Sequence, residues 1–497
     1  MEKIQNSDEV NKINCDTSTN VHDTVPQPQL NHPEIRTPSV AIGAQVKPAT
    51  ASVLVPPTPT RPDKTDLSEQ MTVPSHPHSG QSAFGSPGED DGGSTAPPEE
   101  ESGLEWVTER TGVEDFTQIA RSLISDVSQS LKLAKSIPSS REPEPEEVVA
   151  WAYVKAYFEE DCDSTYGILH QPTFENLLRA HFKGSGSSNA EPDPAWYAVR
   201  HVVYAAGCRI VDTRASAQAA RYSLASSRSW KYFENALSVH TDLLYCHTSL
   251  MAVQALVMMA IFVEAIGCPS IDYMLCSSAM RLAISKGLHR QPPAAWNLSK
   301  VAVQTRSFLW WSIYCYDRLN ASRAGRPLAI DDNDVTCQVP AEVPPSCRMN
   351  LANIRAANEH AKISGQINQR IATLKLRRSS LQDLNDTITD LSRQLNGWWD
   401  GLPSFIKDDL RSPSRILPPA VHFEQVVYHH YSYYSSIVAI HSILVHPWST
   451  AAFQIAPHQT DEFARLKAAS MEVYVNATRN FIHNLPHLAI NALSPKW

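Results

Sequence analysis

The sequence predicts an all-α protein: a multi-helix array preceded by a long disordered acidic, Pro-rich N-terminal arm. Three observations carry that prediction. Apolar residues recur with the helical period through most of the chain beyond residue 146. No segment alternates like a half-buried strand, and no strand–helix alternation appears. Residues that stop helices stand where the periodic segments end.

The arm comes first. Residues 1–145 hold 17 of the 35 prolines, three aromatics (Phe84, Trp106, Phe116), and 22 acidic against 11 basic side chains. The arm's net charge is -11 against -9 for the whole chain, so the remainder is close to neutral. A segment so poor in aromatics cannot bury enough apolar surface to offset its chain entropy. Residues 1–112 are therefore read as disordered. The first thirty residues are polar and lack the apolar core of a secretory signal.

Across 113–136 the pattern changes. Phe116, Ile119, Ala120, Leu123, Ile124, Val127 and Leu131 share one helical face, behind an acidic stretch dotted with Trp and Phe. Such a segment suits docking into a partner's groove. Packing on its own domain is the alternative, and the sequence leaves both open.

Helical patterns then recur at 148–160, 195–212, 228–245, 249–266, 271–286, 299–322, 352–372, 378–399, 421–445 and 460–484. The most apolar run, Met251 to Gly267, is short for a bilayer and contains Gln254 and Glu264, so it reads as a buried helix. The nine cysteines are scattered without a close-spaced pair, as expected of reduced, packed thiols in an intracellular compartment. Ser270 is placed to cap a helix beginning at Ile271, with Gly287 past its end. Ser299 is placed to cap the next, which Gly325 and Pro327 stop, while Pro403 and Pro447 end two later ones.

The richest stretch runs from Arg306 to Pro327, RSFLWWSIYCYDRLNASRAGRP. On a helical wheel, Trp310, Tyr314, Asp317 and Ala321 share one strip, and Phe308, Trp311, Cys315 and Leu319 a second. Arg318 falls between them, which leaves Ser312, Tyr316 and Asn320 to face solvent. Asp317 then sits in an apolar arc and needs a cationic partner. Arg306 lies about 16 Å away along the axis, too far to serve. Arg326, returned by the turn at Gly325, is the favoured partner, with Arg281 or Arg290 as alternatives. Cys315 has no feature that would make it a thiolate, so these residues are read as structural, with no catalytic role.

Other candidates carry less. His422, His429, His430, His441 and His446 cluster near one helix, but no Asp or Cys completes a ligand set, and no metal site is expected. The loop Lys183 to Ser188 lacks the strand and Lys-Ser/Thr of a phosphate cradle. The basic residues of Leu374 to Ser380 read as a solvated helix face.

The segment from Ser277 to Arg290 (SSAMRLAISKGLHR), followed by Arg306 to Pro340, resembles the regulatory middle homology region of fungal zinc-cluster transcription factors. The resemblance rests on Arg281, Leu282, Ala283, Gly287, Leu288, His289, Arg290, Arg306, Trp310, Trp311, Asp317, Arg318, Gly325, Arg326, Pro327, Asp331, Asp332 and Pro340, filled in order and spacing. Weaker matches flank it at Tyr157 to Phe174, Leu395 to Pro403 and His441 to Trp448, so the resemblance covers about 150–497. It implies one domain over 146–497, truncated at its C-terminus relative to the family. It also implies a nuclear regulator of transcription, with a dimer as an option, and no enzyme.

The family binds DNA through a binuclear zinc cluster of six cysteines. Before residue 160 this chain has Cys15 alone, in an acidic arm. The expectation is therefore no zinc or other cofactor in this chain. DNA would be reached through a DNA-binding partner or through residues missing from it, and no membrane is involved. A helical small-molecule sensor or enzyme, using a pocket between helices, is the rival reading.

Overall fold

Helix α1 spans Pro98–Thr111, inside the stretch 1–112 that the composition marks as disordered. It ends at Gly112, in a left-handed conformation. The computed structural model describes residues 98–113, 115–122, 140–184, 193–215, 228–264, 269–377, 379–410, 416–446, 453 and 455–485. All of them belong to the unit His76–Trp497. Residues 116–122 of the expected amphipathic helix are helical. The remainder of that segment to residue 136, and the arm before residue 98, lie outside the described residues, as does Pro447.

The first layer is built around two helices. These are α2 (Glu147–Glu160) and α4 (Pro194–Ala215), which cross at Gly207. A Cβ built there would stand 2.1 Å from the Tyr153 carbonyl oxygen. Only glycine lets the two backbones approach so closely. Next come α5 (Arg228–Leu237), α6 (His240–Tyr245) and α7 (Leu250–Glu264). Helix α7 covers the apolar run from Met251 as far as Glu264, apolar on every side and buried along most of its length. Its lone amide is satisfied: Gln254 Nε2 donates to the Ile168 carbonyl at 2.7 Å. No helix among the described residues is long and apolar enough to cross a membrane.

Helix α8 (Pro269–Ser285) packs against α7. It begins two residues earlier than expected, so Ser270 lies in its first turn instead of capping it. Its end follows expectation. Gly287 has φ +67°, its N–H reaches the Ile284 carbonyl at 2.9 Å, and Leu288 N–H reaches Ala283 at 3.0 Å. These two hydrogen bonds satisfy carbonyls of the last turn, while Leu288 buries the apolar side of the turn. Helix α9 (Lys300–Ala324) starts at Ser299, whose Oγ accepts from Ala302 N–H at 3.2 Å, and stops at Gly325, φ +59°.

The second layer comprises α10 (Leu351–Arg377), α11 (Leu381–Gly401), the single turn α12 (Ser404–Lys407), α13 (Phe423–Val445) and α14 (Thr460–Asn484). Leu384, Leu391, Leu395, Ile440, Ile443 and Leu444 form its core. Ser380 and Asp383 close a reciprocal capping box at the start of α11.

Two elements depart from the periodicity. Helix α3 (Gln171–Gly184) is absent from the expected helical segments, although Phe174, Leu177, Leu178 and Phe182 keep helical spacing. The expected helix 228–245 breaks between Leu237 and His240 into α5 and α6.

Candidate functional site

The GLHR turn after α8, the Trp-rich helix α9 and the acidic segment beyond Pro327 come together as one unit. Arg306, early on α9, donates from Nη2 to the Lys286 carbonyl at 3.0 Å, which secures the end of α8. The His289 carbonyl accepts from the N–H groups of Thr336 (2.9 Å) and Cys337 (3.0 Å). The His289 ring lies 5.8 Å from the Trp310 ring, and Trp310 and Trp311 are both buried.

At the centre of the unit, Arg318 is the pivot. Its side chain is 0% exposed. Nη1 donates to Asp317 Oδ2 at 3.0 Å, and Nη2 donates to the Ile330 carbonyl at 2.8 Å and Asp332 Oδ1 at 2.7 Å. Tyr314 stacks 4.4 Å from the guanidinium and gives its own hydroxyl to Asp332 Oδ1 at 2.6 Å. Asp317 Oδ2 also accepts from the Ala329 N–H at 3.3 Å. Burial pushes the Asp317 carboxyl up, and Arg318 pulls it back towards the ionised form. A planar cation with forked donors can hold two carboxylates and a carbonyl at once, a geometry unavailable to lysine.

This arrangement corrects two expectations. Asp317 is paired by Arg318, its immediate neighbour, and not by Arg326. The arginine side chain is long enough to fold back across the strip between the two residues. Arg326 instead stacks on Tyr273 at 3.7 Å, while its carbonyl accepts from Asn368 Nδ2 at 3.0 Å. The face assigned to solvent is also buried at two of its three positions. Tyr316 donates to Asp272 Oδ1 (2.6 Å) and the Ala260 carbonyl (3.1 Å), and Asn320 Nδ2 to Asp272 Oδ1 (3.2 Å). A polar stripe can face a second helix as well as water when that helix supplies a buried carboxylate. Burial, reinforced by the nearby Glu264 carboxylate, pushes Asp272 up to about 7.

The remaining signature residues lie outside the unit's interior. Arg281 is exposed on α8 yet still within electrostatic reach of Asp317. Arg290 and Pro327 are exposed, and Gly325 supplies the left-handed turn. The sequence reading missed Tyr314 as a contact of the buried cation. It also missed Gly365 of α10, where a Cβ would press on Arg318 Cδ and Nε at 3.1 Å. A glycine in the middle of a long helix was the available signal.

Four of the five clustered histidines lie against partners of their own, and His422 stands at the start of α13. His429 contacts Asn353 Oδ1 at 2.9 Å, His430 the Ile406 carbonyl at 2.7 Å, His441 Ser470 Oγ at 3.1 Å, and His446 the Tyr474 hydroxyl at 3.2 Å. Among the described residues no group of three or more His, Cys, Asp or Glu is placed to hold a metal.

The other side of α9 borders a cavity of about 110 Å³ between the layers. Phe308, Trp311, Cys315 and Leu319 of α9 form one wall; Ile354, Ala357 and Asn358 of α10 and Tyr428 of α13 form others. Burial pushes the Cys315 thiol up to about 12, so it is no thiolate.

The unit lies within a segment that matches a known family. The profile of the fungal specific transcription factor domain matches residues 154–400. An "ABC-transporter-regulating transcription factor" of Aspergillus oryzae is 28% identical over 368 residues, covering 69% of this chain and 39% of that protein. Its namesake from Aspergillus fumigatus is 27% identical over 369 residues, with the same coverage. The "Fusaridione A cluster transcription factor fsdR" of Fusarium heterosporum is 26% identical over 272 residues, 52% of this chain and 48% of that protein. The chain thus spans about two fifths of the length of the first two relatives. No solved structure matches.

Proposed function

The chain carries a fungal specific transcription factor domain over residues 154–400, and from that membership we propose that it is a nuclear transcriptional regulator of a metabolic or secondary-metabolite gene set. One observation carries the reading: the matched segment runs from α2 to α11 and contains the whole unit centred on Arg318. The names of the two Aspergillus proteins and of the Fusarium protein support the choice of gene set.

The helical body acts as the regulatory part. Its buried ion network holds the segment after α9 in one position, as a body that relays or restrains activity requires. DNA is reached through a DNA-binding partner, or through a zinc cluster supplied by residues beyond this chain. An acidic arm would be repelled by phosphate. Trp106 is partly exposed on α1 among acidic neighbours, a composition suited to contacting a coactivator groove.

A reporter assay tests the regulatory reading. The chain fused to an unrelated DNA-binding domain should change expression of a reporter bearing that domain's site. An unchanged reporter, with the fusion present in the nucleus, overturns it. A gel shift tests the partner mechanism: specific retention of DNA by this chain alone would overturn it.

A further inference from the structure

We propose that the cavity between α9, α10 and α13 is a binding site for a neutral, single-ring compound carrying a carbonyl-type hydrogen-bond acceptor. Its enclosed part is of the order that accommodates one benzene-sized ring. Phe308, Leu319 and Ile354 give it apolar walls that favour an aromatic or alicyclic body.

The polar groups define the rest of the ligand. Asn358 is 3% exposed, and its Oδ1 accepts from the Cys315 thiol at 3.0 Å. The other edge of that amide, Nδ2, is a buried donor with no partner. The indole Nε1 of Trp311, also on the lining, is a second buried donor without one. A buried donor left unmade is costly, and both lie just behind the cavity wall, so a molecule whose acceptor reaches them through a small side-chain shift is favoured.

Charge excludes the obvious anionic ligands. Asp163, Glu264 and Glu424 border the cavity, and among its described lining residues there is no Lys, Arg or His. Arg323 pairs with Glu264 and Lys362 lies 5.1 Å from the Trp311 ring, but neither cation lines the cavity, so a carboxylate or phosphate entering there meets like charge at its wall. A ketone, lactone or amide on one ring meets apolar walls and two donors. The site is distinct from the Arg318 network, and its existence does not depend on the transcriptional reading.

Acetophenone and benzoate are suitable probes, because they share ring size and differ in charge. Saturation-transfer NMR on the purified chain should give saturable binding of acetophenone and at least tenfold weaker binding of benzoate. Asn358→Leu removes the donor and should weaken acetophenone about tenfold, the loss of one hydrogen bond to the ligand. Ala357→Leu fills the cavity and should abolish binding. Circular dichroism on each variant separates loss of the site from loss of the fold. If a variant does not fold, competition settles the point with the unaltered chain: cyclohexanone should displace acetophenone, and cyclohexanecarboxylate should not. Absence of saturable acetophenone binding to the folded chain overturns the proposal. Equal affinity for benzoate, or unchanged binding in both folded variants, does so as well.

Discussion

The guanidinium of Arg318 and the carboxylate of Asp332 meet at 2.7 Å across 14 residues of sequence, which fixes the acidic segment to the helix that precedes it. Because Arg318 also holds Asp317, one side chain governs two carboxylates. Arg318→Met should destabilise the protein by about 3–5 kcal/mol, since it leaves a buried carboxylate unpaired. The double variant Arg318→Met/Asp317→Leu should recover part of that loss. Urea melts of both proteins check the comparison, and a double variant no more stable than the single one would refute the pairing.

Gly365 lies against the same arginine. Gly365→Val should displace the guanidinium and lower stability by about 1–3 kcal/mol, the range for overpacking. Thermal melting at one pH measures it, and an unchanged midpoint would show that the contact yields freely.

Gly207 is the more severe case, because its neighbour is backbone. Gly207→Ala brings a methyl to 2.1 Å from the Tyr153 carbonyl and should force α2 and α4 apart. A loss above about 2 kcal/mol, or failure to accumulate folded protein, is expected. Normal melting would mean the crossing relaxes without penalty.

Acid should weaken the fold through its histidines. Burial holds His429 down to about 3 and His201, His360 and His441 down to about 4. Each is favoured neutral in the folded state, so its contribution is present above about pH 6.5 and is lost as pH falls towards the folded value. The melting midpoint should drop by more than about 5 °C between pH 7 and pH 5. A flat profile over that interval would contradict the buried, neutral assignment.

Asp272 works in the opposite sense. Its folded pKa is raised to about 7, so its stabilising contribution is complete below about pH 4 and lost as pH rises through 7. Asp272→Asn keeps an oxygen to accept from Tyr316 and Asn320 without the charge. The gain in melting midpoint over the unaltered protein should be small at pH 5 and larger at pH 8. A gain that does not grow with pH would exclude ionisation of Asp272 as the cause.

Much of the helical architecture was legible in the sequence because periodicity and caps are local signals. The end of α8 at Gly287 and the span of α9 from Ser299 to Gly325 follow from side chains within a few residues. Helix α3 was overlooked because its apolar residues are interrupted by charged and polar ones, leaving a stripe easily read as loop. The partner of Asp317 was misassigned because a wheel places Cβ atoms, whereas a seven-atom arginine side chain reaches well beyond its own azimuth. Tyr316 and Asn320 were assigned to water for a related reason. The sequence of α9 does not reveal that α8 offers Asp272 opposite them. The cavity was invisible because its walls come from helices far apart in the chain.

The partners of Arg318 that hold its charge, Tyr314, Asp317, Ile330 and Asp332, all lie within 18 residues of one another. A nascent chain ending near residue 340 already contains each of them, before any residue of α10 has been made. The signature can thus close by local contacts during synthesis, where short loops carry the least entropic cost. The second layer, α10 to α14, then condenses on a surface already templated by the first.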